Sequence, residues 1–180
     1  MAWIPIIATF ILGAILGSFI NVLIYRMPRE ESLWHPRSHC PHCKAMIPWF
    51  RNIPIISFVI QQGKCASCTQ SISWQYPLVE IINGCVWAVC FYIFIPLQAG
   101  LTAMFSSVLI TLAWIDYKTM MIPLSLIITG ICIIVISVFA GLLVWQMVFW
   151  GAFAGVLIPL AMMGLTYLFT RRQGMGWGDI

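Results

Sequence analysis

Long apolar runs recur along this chain, set apart by one extended polar stretch and a few short breaks. About 20 consecutive apolar residues cross a bilayer as a helix, and five segments qualify: roughly 3–25, 77–98, 101–117, 122–142 and 148–169. The third is short, with Trp114 and Tyr117 as the interfacial aromatics that mark its end. No charge precedes Arg26, and the run from Trp3 to Tyr25 is too long for a signal-peptide core and lacks a basic leader or a small-residue cleavage site, so it is expected to stay as a span. The expected fold is an all-α polytopic membrane protein with about five transmembrane helices. Its parts are a first helix over 1–25, a polar domain over 26–76, and a transmembrane region over 77–180.

Composition agrees. Hydrophobic residues make up 62% of the 180 and charged residues 8%, and the mean hydropathy is +0.98, outside the range of an ordinary soluble domain. Nine Lys and Arg against five Asp and Glu report topology here rather than nucleic acid, which is not implied. With the N-terminus outside, residues 26–76, 118–121 and 170–180 are cytoplasmic, and 99–100 and 143–147 are short external turns. All nine basic residues (Arg26, Arg29, Arg37, Lys44, Arg51, Lys64, Lys118, Arg171, Arg172) then lie inside, as the positive-inside rule asks.

The same topology brings two acids to one side. Asp116 ends a span running inward, and Asp179 follows another inward span in Gly174-Met175-Gly176-Trp177-Gly178-Asp179. A carboxylate beside an apolar span is costly to keep ionised and is a functional candidate by default. The glycines leave that backbone free to adopt unusual dihedrals and to admit a close neighbour. On spacing alone, Asp116 reads equally well as an interfacial cap beside Lys118, and Asp179 as the first residue of a further helix.

The polar stretch is marginal in size for a hydrophobic core of its own. Cys40-Pro41-His42-Cys43 and Cys65-Ala66-Ser67-Cys68, with 21 residues between them, supply two knuckles of thiolates at the spacing a tetrahedral zinc requires. Two disulfides are the alternative, which a reducing cytoplasm disfavours. His35, His39 and His42 crowd the first knuckle, but four Cys already complete a structural site. Pro36, Pro41, Pro48 and Pro54, with Gly63, argue for short turns and ribbons rather than long helices. Cys85, Cys90 and Cys132 lie in apolar runs and read as small buried hydrophobes. Arg171 and Arg172 read as a stop-transfer anchor.

Four blocks together resemble a known family. They are Gly17-Ser-Phe-Ile-Asn-Val-Leu-Ile-Tyr-Arg26-Met-Pro28; the paired knuckles; Ile72-Ser-Trp-Gln-Tyr-Pro77-Leu-Val-Glu80; and Asp116 with Ile122-Pro123, followed by Gly176-Trp-Gly-Asp179. The chain from about residue 13 onward resembles the type IV prepilin peptidases, bifunctional leader peptidase and N-methyltransferases with a GxGD-type aspartyl protease site. The resemblance implies that Asp116 and Asp179 are the catalytic acids. It implies a bacterial inner-membrane enzyme that removes short basic leaders from prepilin or pseudopilin precursors at the cytoplasmic face and methylates the new amino terminus. It also associates Glu80, and the first-span exit around Asn21 and Arg26, with methyl transfer from S-adenosylmethionine, although no glycine-rich dinucleotide fold is present and Glu80 reads otherwise as an anchor snorkelling to the interface. The family continues past GxGD with a basic residue and further spans, whereas this sequence stops one residue after Asp179, so the 180-residue chain alone is expected to be inactive or nearly so. A non-enzymatic membrane adaptor whose zinc knob docks a partner is the competing expectation.

Overall fold

The computed structural model describes residues 3–35 and 37–170, with side chains as far as Met162 at the C-terminal end. Six α-helices follow one another: α1 Trp3–Arg26, α2 Ile56–Ile60, α3 Gln75–Ile93, α4 Pro96–Thr119, α5 Leu124–Phe139 and α6 Trp145–Thr170. Short 3-10 turns stand at Met27–Arg29 and Trp49–Arg51. Among the described residues strand pairing is limited to two isolated bridges, His39 with Met46 and Lys64 with Ser71. Four helices, α1, α3, α4 and α6, are long and apolar enough to cross a membrane. The apolar α5 has 16 residues, about 24 Å of helix against a hydrocarbon core of about 30 Å.

Local chemistry moves several ends away from where apolar runs alone put them. Ile95 precedes a proline and is extended (φ −64, ψ 152), because the proline ring disfavours a helical residue before it, and Pro96 then opens α4 at its first position. The turn between α3 and α4 therefore falls at Phe94–Ile95 rather than at 99–100, and Ala99 is fully buried within α4. At 24 residues α4 has no shortfall in length. Met120 closes it in the left-handed region (φ 52), its N–H bonded to the Asp116 carbonyl at 2.8 Å. The end of α5 comes earlier than 142 because Gly141 takes φ 70, with Gly141 N–H on the Val138 carbonyl and Leu142 N–H on that of Ser137, a Schellman stop.

The chain divides into two compact units, Met1–Ile134 and Val135–Ile180. Within the second, α6 carries edge-on ring contacts between Phe149 and Trp150 and between Trp150 and Phe153. The first is organised by the crossing of α1 on α3. A Cβ added at Gly13 would lie 2.7 Å from Trp87 Cβ, and one at Gly17 would lie 2.8 Å from Glu80 Cα, so these glycines, one helical turn apart, let the two backbones touch.

With close approach, side-chain amides reach across. Asn83, fully buried, donates through Nδ2 to the Gly13 carbonyl at 2.6 Å, and its Oδ1 lies 2.7 Å from the Ser107 hydroxyl of α4, which accepts from Trp87 Nε1 at 3.0 Å. A polar lock of this kind holds three helices where lipid offers no hydrophobic drive to associate. Nearer the polar end, Ile20, Ile24, Val79, Ile115 and Leu126 form the apolar core.

Candidate functional site

The two knuckles fold alike. Cys40 N–H bonds to the Ala45 carbonyl at 3.0 Å and Lys44 N–H to that of Cys40 at 2.9 Å; Cys65 N–H bonds to Gln70 at 2.8 Å and Thr69 N–H to Cys65 at 2.9 Å. Lys44 (φ 60) and Thr69 (φ 58), each directly after the second cysteine of its knuckle, take the left-handed conformation that folds the ribbon back. The result places all four sulfur atoms within 4.8 Å of one another, and no disulfide forms.

A tetrahedral zinc with Zn–S bonds of about 2.3 Å has sulfur–sulfur edges of about 3.8 Å. The Cys40 and Cys68 sulfurs stand 3.9 Å apart, so the cage fits such an ion. None of the three histidines belongs to it, and His39 Nδ1 faces the Arg37 carbonyl at 3.1 Å. The N–H groups of Ser67 and Cys68 point at the Cys65 sulfur and bring its pKa down from 9.0 to about 6. The Gln70 N–H pulls Cys68 in the same direction, but burial and the crowding sulfurs of Cys65, Cys43 and Cys40 outweigh it and push Cys68 up to about 12.

Beside this module lies a cavity of about 600 Å³, lined among others by Asn21, Arg26, Tyr76, Glu80 and Lys118, a volume within the usual 300–1,000 Å³ of small-molecule sites. Its polar wall is built by protein–protein hydrogen bonds. Asn21 donates to the carbonyls of Gly17 (3.3 Å) and Tyr76 (3.1 Å) and accepts from Gln75 Nε2 at 3.3 Å. Lys118 Nζ donates to Gln75 Oε1, completing a relay from α4 through α3 to α1. Arg26 Nη1 donates to the Ser32 carbonyl at 2.7 Å, and Glu80 Oε2 accepts the backbone N–H of Ile55 at 2.8 Å. Asn21, Arg26 and Glu80 are thus brought together around one space, each buried.

Asp116 stands in the last turn of α4, exposed, and its carboxylate meets no hydrogen-bond or ionic partner among the described residues. Asp179, like Arg171, Arg172 and the glycines before it, lies outside the described residues. Sequence reasoning passed over Gln75 and Lys118 as bridging residues and Asn83 as the lock. Asn83 had a signal, an amide in an apolar run, where polar side chains are expensive unless bonded. Gln75 and Lys118 had none, because they are 43 residues apart in the chain.

Fold and site together define a multi-pass membrane protein that carries a four-cysteine module able to hold a metal ion at the polar end of a helix bundle. Residues 11–94 match the model of the bacterial peptidase A24 N-terminal domain, and residues 103–180 match that of the type IV leader peptidase family. Three prepilin leader peptidase/N-methyltransferases show the degree of similarity. That of Stutzerimonas stutzeri is 33% identical over 97% of this chain and 69% of its own length. That of Bacillus subtilis (strain 168) is 35% identical over 95% and 68%, and that of Myxococcus xanthus (strain DK1622) is 32% identical over 94% and 51%. The chain belongs to the type IV leader peptidase family, and it spans about half to two thirds of the length of these relatives. No solved structure matches it.

Proposed function

We propose that the chain is the core of an intramembrane aspartyl endopeptidase that removes the short basic leader from type IV prepilin or pseudopilin precursors at the cytoplasmic face of the bacterial inner membrane. Asp116 and Asp179 form its acid pair. The observation that carries this is Asp116 itself, an exposed carboxylate in the last turn of an apolar helix with no partner among the described residues. Peptide hydrolysis by two carboxylates needs one ionised, to take a proton from water, and one protonated, to donate to the carbonyl oxygen. Close approach keeps a single proton on such a pair. An Asp held by a cation would lack the freedom to do this, and Lys118, two residues away, is turned to Gln75 instead.

The same proposal sets the N-terminus in the periplasm, with the nine Lys and Arg on the cytoplasmic side, and requires α5 and α6 both to cross so that the two acids share a face. It divides the chain into a first helix over 1–25, a zinc module over 26–76 and a catalytic region over 77–180. Cys40, Cys43, Cys65 and Cys68 would hold a structural zinc, which ties the two ribbons of a stretch with little apolar core of its own.

N-methylation of the new amino terminus belongs to the proposal as well. The 600 Å³ cavity has room for S-adenosylmethionine, whose part would be to supply an electrophilic methyl group, and Asn21, Arg26 and Glu80 fix the wall of that cavity. Each already makes a hydrogen bond to protein, which fixes its place in the wall, so their role is to shape the space.

Cleavage of a pilin-like precursor in membranes, measured with this chain inside a protein of its relatives' full length, tests class and site at once. Asp116→Asn and Asp179→Asn should each abolish it, while metal content and membrane insertion stay as in the wild type. Undiminished cleavage by either variant would remove the acid pair, and a chain that tolerates both in its cellular role would be the adaptor.

A further inference from the structure

Segment 53–63, in the middle of the polar stretch, does not look like a water-facing loop. Ile56, Val59 and Ile60 of α2 are 56%, 67% and 75% exposed, and Trp49 and Trp74 beside the segment are 81% and 76% exposed. Small polar residues would normally occupy such positions in water, and contiguous exposed apolar side chains mark a surface that meets something.

Two ties fix the height of this segment relative to the bilayer. Phe58, on the inward face of α2, packs on Trp74 with ring centroids 4.8 Å apart, and Trp74 directly precedes α3. Ile55 gives its N–H to the side chain of Glu80, whose Cα, five residues along α3 from Gln75, lies about 7.5 Å past the start of the helix at 1.5 Å per residue. The 19 residues of α3 span about 28 Å, barely the hydrocarbon thickness of about 30 Å. A crossing α3 therefore cannot hold its first residue far out in water, and Ile55 is tied to a residue within that span.

Backbone chemistry agrees with that depth. Within lipid every N–H needs a partner inside the protein. Most in this segment have one: those of Ile56, Ser57, Val59, Gln61 and Gln62 donate to carbonyls of the segment itself, and Ile55 donates to Glu80. Ile55 holds φ 62 and ψ −52, a strained conformation for a β-branched residue, which persists only where surroundings pin it. Exposed Arg51 and Lys64 flank the apolar stretch at either end, placed for anionic headgroups.

We propose that residues 53–60 form an interfacial element that lies in the membrane, with Ile56, Val59 and Ile60 buried among acyl chains and Arg51 and Lys64 on the phosphates. The partner is the lipid bilayer. The element roofs one side of the cavity, since Ile55 and Phe58 line it from within. The proposal rests on α3 crossing a membrane and stands whether or not the chain is a peptidase.

The test uses a fluorescent amino acid incorporated singly at Val59, Ile60 or Met46, which leaves the zinc cysteines untouched, in the full chain reconstituted into vesicles of phosphatidylethanolamine with a minority of phosphatidylglycerol. Met46, 66% exposed on the first knuckle, is the aqueous reference. Probes at 59 and 60 should emit to the blue of the probe at 46, lose most of its quenching by aqueous iodide, and be quenched by lipid spin-labelled near the headgroup. Water-like emission at 59 and 60 would overturn the proposal. Blue-shifted emission that spin-labelled lipid does not quench would overturn it too, because protein, whether a second copy or another segment of the chain, would then cover the face.

Discussion

Replacing Gly17 with Ala adds one methyl group where the backbones of α1 and α3 nearly touch. The new Cβ would stand 2.8 Å from Glu80 Cα and 3.2 Å from the Val79 carbonyl oxygen. Ordinary carbon–carbon contact is about 3.5–4.0 Å, so the shortfall is roughly 0.7–1.2 Å. Both neighbours are backbone atoms and no side chain can swing aside, so the helices must part. Overpacking of this kind costs about 1–3 kcal/mol. The movement also stretches the bond from Asn21 to the Tyr76 carbonyl, already 3.1 Å long. For a chain of this size one kcal/mol corresponds to about 2–4 °C in Tm, so a drop of roughly 3–10 °C is expected by intrinsic tryptophan fluorescence in detergent. Gly100→Ala is the control. Gly100 lies inside α4 with nothing within 4 Å of an added Cβ, and there the substitution should raise stability by about 0.5–1 kcal/mol through helix propensity. If Gly17→Ala matches Gly100→Ala, α1 and α3 are not in backbone contact, and the account of how Asn21 and Glu80 reach one cavity fails.

Asp116→Asn should leave thermal stability within about 0.5 kcal/mol of wild type, because the carboxylate touches no described partner; a larger loss measured in the same melt would make it a structural cap. In metal-stripped protein at pH 7, alkylation followed by peptide mass mapping should find Cys65 modified well before Cys68. With values of about 6 and about 12, the first is mostly thiolate at that pH and the second a thiol. Lowering the pH through 6 should abolish the advantage, as Cys65 takes up its proton, and reversed labelling order would refute the assignment. Glu80→Gln keeps an oxygen for the Ile55 N–H, whereas Glu80→Ala orphans it at about 1–3 kcal/mol. Trypsin cleavage after Arg51 and Lys64 should therefore accelerate in the Ala variant only, and equal resistance of the two would show that this bond does not anchor the segment.

The sequence by itself determined what depends on neighbours along the chain. Apolar runs gave the helices, because twenty adjacent side chains decide together whether a segment leaves water. Proline and glycine chemistry at Ile95-Pro96 and Gly141 was equally local, and the displaced turn at Phe94–Ile95 was readable from Pro96 had more weight been put on it than on run length. The cysteines are local in pairs, and the likeness of the two knuckles already signalled that their four sulfurs would converge, as they do to within 4.8 Å. Only the tertiary structure decided which polar groups meet. Glu80 reaches the Ile55 N–H across 25 positions and Lys118 reaches Gln75 across 43, while the backbone contact at Gly13 and Gly17 brings Asn21 to the Tyr76 carbonyl and Asn83 to that of Gly13. Such pairings depend on the distance and rotation of packed helices. A difference of about 1 Å there is decided by the absence of a single methyl group, which no periodicity in the chain encodes.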